Sequence, residues 1–181
     1  MRRRGFLLLM LAVACGAHAA VPAAVPPYIA QELPDARESG RGVFRWFGLS
    51  VYEAVLWTGP AGYQPGQPFV LELRYAMRLK GGKIAEASAE QMEHIGAGNA
   101  QQRAAWLRDM RALFPDVAAG QHLSGSFVPG MGARFHSDGR LIGVVRDAEF
   151  AEAFFGIWLS PATSAPELRR QLLGNARGPA R

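Results

Sequence analysis

An α+β domain, a largely antiparallel sheet with its helices gathered on one face, is the fold class this sequence predicts, and three observations predict it. Apolar residues alternate with strand periodicity over residues 40–57, 68–80, 121–128 and 133–145. They recur at helical spacing over residues 83–95, 99–114, 147–158 and 166–174, so two groups of strands and two helix pairs alternate along the chain. Asp138-Gly139, between two apolar runs, is a hairpin turn signal that makes the sheet antiparallel at that end.

The chain of 181 residues suits one domain plus a leader. Residues 1–19 read as a signal peptide. Arg2, Arg3 and Arg4 form a basic region, residues 6–14 an apolar stretch too short to span a bilayer, and Ala17-His18-Ala19 a cleavage site. Export to the periplasm or outside the cell is the expectation. A competing reading takes Ala12-Val13-Ala14-Cys15-Gly16 as a degenerate lipoprotein site, with Cys15 lipidated. Removing the three leader arginines from 20 basic residues leaves 17 against 15 acids, so the net charge falls from +5 to +2. That balance, without a basic stripe carrying interleaved aromatics, excludes a nucleic-acid partner. Cys15 is the only cysteine, so the mature chain holds no disulfide, thiolate metal site or Cys nucleophile, and no apolar run left in it is long enough to cross a membrane.

Residues 20–39, rich in Pro and Ala, read as an extended approach with at most an edge strand. The domain is expected over residues 40–174, with residues 175–181 a frayed tail. Its first run, GRGVFRWFGLSVYEAVLW, is apolar on both alternating sets, so it should form one strand, or two joined by a bend at Gly48, covered on both faces. Between Val43 and Tyr52 its single charge is Arg45. Residues 68–80 give a cleaner strand. Phe69, Leu71, Leu73, Tyr75 and Met77 fall on one face, and Glu72, Arg74, Arg78 and Lys80 on a wet one.

After Gly81-Gly82 comes an amphipathic helix through Ile84, Ala87, Met92 and Ile95. Asn99 then caps a second helix, which Pro115 stops. Beyond the strand runs 121–128 and 133–145, Asp147 caps an apolar helix carrying Phe150, Phe154, Phe155 and Trp158. Ser164-Ala165-Pro166-Glu167 has the pattern of a capping box that opens a last helix ending at Gly174.

Five segments resemble the chalcone isomerase-like family of bacterial exported proteins. They are GRGVFRWFGLSVYEAVLW, PFVLELRY, LFPDV, GQHLSG and FFGIWLSPATSAPELRRQLLG, which together span residues 40–174. The resemblance implies the chalcone isomerase fold, an open-faced sandwich of an antiparallel sheet against a helical layer. It also implies one of two uses, cyclisation of chalcones or binding of fatty acids with an arginine on the ligand carboxylate. A buried guanidinium suits either, because an arriving oxyanion compensates it bidentately. The matching position is Arg45, with Arg41 as the alternative. Where the plant enzymes carry a tyrosine and an asparagine on the helix after the long strand, this chain has Ile84 and Gln91, and Phe47 stands near their threonine. The groups needed for that cyclisation are thus unmatched, and no catalytic residue is assigned.

The reading preferred on these grounds is a non-catalytic exported binder of a small amphipathic or aromatic acid, such as a fatty acid. Arg45 would face its anion, Tyr52, Tyr75 and the helix around residues 150–158 would line the apolar part, and no cofactor is required. The alternatives are an isomerase or lyase of altered chemistry on the same fold, or an envelope protein-interaction module. Arg45 also has a purely structural reading, snorkelling to the sheet edge or pairing with Glu53 or Glu72. His94, His122 and His136 lack metal-ligand spacing and read as exposed. Glu86, Glu90 and Glu93 read as a solvated helix face.

Overall fold

The computed structural model describes residues 24–174. The signal peptide, the lipoprotein alternative and the frayed tail all lie outside the described residues.

Residues 40–57 form two strands of a hairpin, β1 (Arg37–Trp46) and β2 (Leu49–Thr58). Phe47 and Gly48 make the turn, with φ of 47° and 80°, the left-handed pair that matches the twist of the flanking strands. β3 (Phe69–Tyr75), β4 (His122–Val128), β5 (Gly132–Ser137) and β6 (Arg140–Val145) follow, and the sheet runs β1-β2-β3-β4-β5-β6, each neighbour antiparallel. Asp138 and Gly139 turn β5 into β6 with φ of 47° and 79°.

Four helices cover one face: α2 (Gly81–His94), α3 (Ala100–Leu113), α4 (Ala148–Leu159) and α5 (Pro166–Leu172). α3 starts in a full capping box between Asn99 and Gln102. The Asp147 carboxylate accepts from the Phe150 amide at 3.0 Å and from Trp106 Nε1 at 2.8 Å, which starts α4 and ties it to α3. α4 is buried along most of its length, through Phe150, Phe154, Phe155, Ile157 and Trp158, because sheet and helices enclose it together. α5 lies on β1 at backbone distance: a Cβ on Gly40 would sit 2.0 Å from the Gln171 carbonyl oxygen, and one on Gly42 2.1 Å from Gln171 Oε1. A side chain at Gly40 would meet α5 backbone and push the helix off the strand, whereas one at Gly42 would displace the Gln171 and Leu168 side chains. Ser164 does not close the expected capping box; its hydroxyl donates to Gln91 Oε1, and Ala165 takes the cap position without a side-chain bond.

Two expectations need correction on the opposite face. The segment read as extended contains a short helix, α1 (Pro27–Glu32), started by Pro27 at its first turn. Ile29, Leu33 and Ala36 pack there on Val55, Trp57 and Val70, so the sheet is covered on both sides at β2 and β3. The wet face assigned to residues 68–80 is therefore dry at Glu72, which is 1 % exposed. Its carboxylate is compensated by the Tyr28 hydroxyl, which donates to Oε1, by His122 Nδ1 at 2.8 Å and by Trp57 Nε1 at 3.4 Å. Burial and the Glu72 charge push the Tyr28 hydroxyl well above its ordinary pKa.

His136 is likewise buried rather than exposed, its Nε2 3.3 Å from Glu32 Oε1, which Arg134 also approaches at 3.2 Å. Burial, helped by Arg134 and opposed by Glu32, holds this imidazole below its ordinary value of 6.5. Glu86 and Glu93 on α2 pair with Arg111 and Arg103 of α3 at 2.8 and 3.1 Å, so part of the solvated acidic face is an interhelical seam.

Truncating Ile29 of α1 to Ala is expected to lower the unfolding free energy by about 2–4 kcal/mol in urea titration. A histidine whose folded pKa is depressed leaves the unfolded chain binding more protons, so stability is full above 6.5 and falls as pH drops through that value. Urea midpoints measured from about pH 7.5 down to about pH 5.5 are expected to decline, and His136→Gln is expected to flatten that decline.

Candidate ligand-binding site

Between the helical layer and the inner face of β1–β5 lies a cavity of about 420 Å³, within the size range of small-molecule sites. Leu71, Leu73 and Tyr75 of β3, with Leu123 of β4 and Phe135 of β5, form its sheet side. Ile84, Ala87, Ser88 and Gln91 of α2, with Phe154, Ile157 and Trp158 of α4, form its helix side. These placements follow from period: on β3 alternate residues face inward, and on α2 the spacings of three and four bring one stripe down on the sheet.

The polar groups in this lining are few and neutral in the interior. Trp158 Nε1 donates to the Tyr52 hydroxyl oxygen at 3.0 Å, which leaves the phenol proton free to donate. Tyr52 stacks on Phe44 at 5.1 Å between ring centroids and meets Tyr75 edge-on at 5.9 Å. Burial raises the pKa of both phenols well above the ordinary tyrosine value, and Tyr52 adds to the shift at Tyr75. At neutral pH both are therefore hydrogen-bond donors rather than phenolates. Ser88 Oγ donates to the Ile84 carbonyl at 2.8 Å and is spoken for. The charged residues of the lining, Lys83 and Glu90, are exposed on α2, and Lys83 Nζ already meets Glu86 at 2.7 Å.

Of the three residues predicted to hold a ligand, Tyr52 and Tyr75 line this cavity together, and Arg45 does not. Phe44 and Trp46 both line it, so Arg45 between them belongs to the other face of β1, where it is exposed. Arg41, the alternative, meets Glu38 and, at 3.8 Å, Glu53, which also lies 3.6 Å from Arg74. The structural pairing considered for Arg45 is thus made by Arg41. Ile84 and Gln91 line the cavity, whereas Phe47 sits in the hairpin turn away from it. Sequence reasoning missed Phe44, Ser88 and Lys83; of these, only Ser88 carried a signal, as a polar residue inside the apolar stripe of its helix.

A family model described as chalcone isomerase-like matches residues 40–174. A protein of Haemophilus influenzae described as uncharacterized is 28 % identical over 139 residues, covering 76 % of this chain and 68 % of that one. The crystal structure of a fatty-acid binding protein of Arabidopsis thaliana superposes with a TM-score of 0.61 at 13 % identity, over 84 % of this chain and 90 % of that one. At that identity the likeness is one of fold. α1, at Pro27–Glu32, precedes the span that the family model matches.

Arg45→Ala is expected to change the unfolding free energy by less than about 0.5 kcal/mol, as for an exposed side chain with no ion pair among the described residues. Trp158→Phe, which removes the donor to Tyr52 and leaves a void beside it, is expected to lower stability by at least about 1 kcal/mol in the same urea titration.

Proposed function

The chain belongs to the chalcone isomerase-like family, and from that premise we propose that it is an exported, non-catalytic carrier of a small amphipathic or aromatic acid, a fatty acid among the candidates. One observation carries the reading: a largely apolar cavity of about 420 Å³ whose lining brings the buried Tyr52 and Tyr75 together. Such a space takes up an apolar body of matching size, and two phenol donors satisfy one acceptor group on it.

The anchoring role expected of Arg45 passes in this reading to the two tyrosines. They bind a carboxylic acid or phenol as donors, and a carboxylate that keeps its charge would lie nearer the exposed Lys83. Binding is favoured over base catalysis, because phenols with raised pKa values hold their protons at neutral pH. Export rests on the leader pattern of residues 1–19.

Screening saturated fatty acids and hydroxycinnamic acids by thermal shift, with native mass spectrometry of the purified protein, tests the reading. A ligand at about 100 times its Kd is expected to add roughly 2.7 kcal/mol of stability. Tyr75→Phe is expected to weaken that ligand about tenfold, the scale of one lost buried hydrogen bond. Ile84→Trp, which fills the cavity, is expected to abolish binding in a folded protein. An empty mass spectrum together with no thermal shift across both acid classes would sink the carrier reading.

A further inference from the structure

The β1–β2 hairpin ends in a tip that folding alone does not explain. Trp46, Phe47 and Leu49 are 62, 90 and 66 % exposed, in a chain whose other three tryptophans are buried. Phe47 also occupies a left-handed backbone position, φ 47°, where Asn or Gly is the comfortable choice. It is therefore unfavourable twice, by conformation and by exposure. Its aromatic neighbour is Trp46, whose ring meets it edge-on at 5.0 Å, so the two rings form one projecting wedge.

The wedge is continuous with the cavity. Trp46 and Met77, the latter 37 % exposed, both line that space and together make its rim. Two cations flank it. Arg45, within the tip, and Arg78, next to Met77, are exposed and make no ion pair among the described residues, while Lys80 and Lys83 nearby are already paired with Asp116 and Glu86. Glu90 is the acidic side chain on the rim. Tryptophan and phenylalanine on a projecting loop beside arginines are the chemistry of a lipid–water interface, where rings sit at headgroup depth and guanidinium groups meet lipid phosphates.

We propose that this hairpin tip docks on an anionic membrane surface, with Trp46, Phe47 and Leu49 in the headgroup layer and Arg45 and Arg78 on lipid phosphates. The mouth of the cavity then opens on the acyl layer, and an apolar ligand enters without crossing water. Docking goes beyond the carrier reading and stands apart from it, since the tip residues Phe47 and Leu49 do not line the cavity.

The test is sedimentation of the purified protein with vesicles of phosphatidylglycerol and phosphatidylcholine in equal parts, against phosphatidylcholine alone. The protein is expected to sediment with the anionic vesicles and to shift its tryptophan emission to the blue, a signal from Trp46 because Trp57, Trp106 and Trp158 are already buried. The double variant Phe47→Asn/Leu49→Thr, whose turn is relieved, is expected to keep its Tm and lose at least about tenfold in vesicle affinity. Arg45→Gln/Arg78→Gln is expected to weaken binding to the anionic vesicles and to reduce its salt dependence. The cavity-filled Ile84→Trp protein is expected to sediment as wild type does, which separates docking from ligand binding. Failure of the wild-type protein to bind the anionic vesicles overturns the proposal, as does equal binding by the Phe47→Asn/Leu49→Thr variant. A dimer that this variant dissolves, in a protein that does not bind vesicles, also overturns it and assigns the tip to a second copy.

Discussion

Val55, Trp57 and Val70 on one side of β2 and β3, and Ala54, Leu56 and Leu71 on the other, make a sheet whose middle is apolar on both faces. Such a sheet has to be covered twice, and the rest of the structure depends on how each covering is made. On one side four helices and a long aromatic core do it. On the other, a helix of six residues suffices, since it shields only β2, β3 and their neighbours. The small covering has a chemical consequence: Glu32 at its end, and Glu72, His122 and His136 beneath or beside it, have to find partners within the protein. Polar contacts thereby fasten α1 in one register, where apolar packing alone would leave it free to slide.

The larger covering is incomplete. α5 is held against the first half of β1 by the close approach at Gly40 and Gly42, and α4 lies over β4 and β5 with α2 packed beside it. The space left between these coverings is the cavity, and the second half of the hairpin runs on past it to a tip without a helix above it. One geometric circumstance thus produces both the apolar cavity and the exposed tip at its rim. Charge is arranged in keeping with this: cations and acids sit on the back of the sheet, along the α2–α3 seam and at the rim, and phenols take the interior.

Much of this was legible in the sequence because local periodicity and turn chemistry are short-range properties. The strand runs and four larger helices, the bend at Gly48 as one of two readings of the first run, the Asp138-Gly139 turn and the Asn99 and Asp147 caps each depend on side chains within a few residues of one another. α1 escaped because six residues between prolines do not display a period. The Ser164 cap failed because Gln91, distant in the chain, offered its hydroxyl another partner.

For the site, alternation established that Arg45 and its neighbours Phe44 and Trp46 point opposite ways, and that Tyr52 and Tyr75 could share a surface. It did not establish which way was inward. β1 is apolar on both alternating sets, so its sequence is compatible with either orientation, and only the packing of α5 on Gly40 and Gly42 selects one. By itself the sequence determined the class of fold and the elements other than α1, since these follow from spacing along the chain, and its motif segments carried the resemblance to the family. The tertiary structure decided that Arg45 is outside, that Glu72 and His136 are buried and that two phenols face the cavity, because burial is settled by what distant segments lay over a strand.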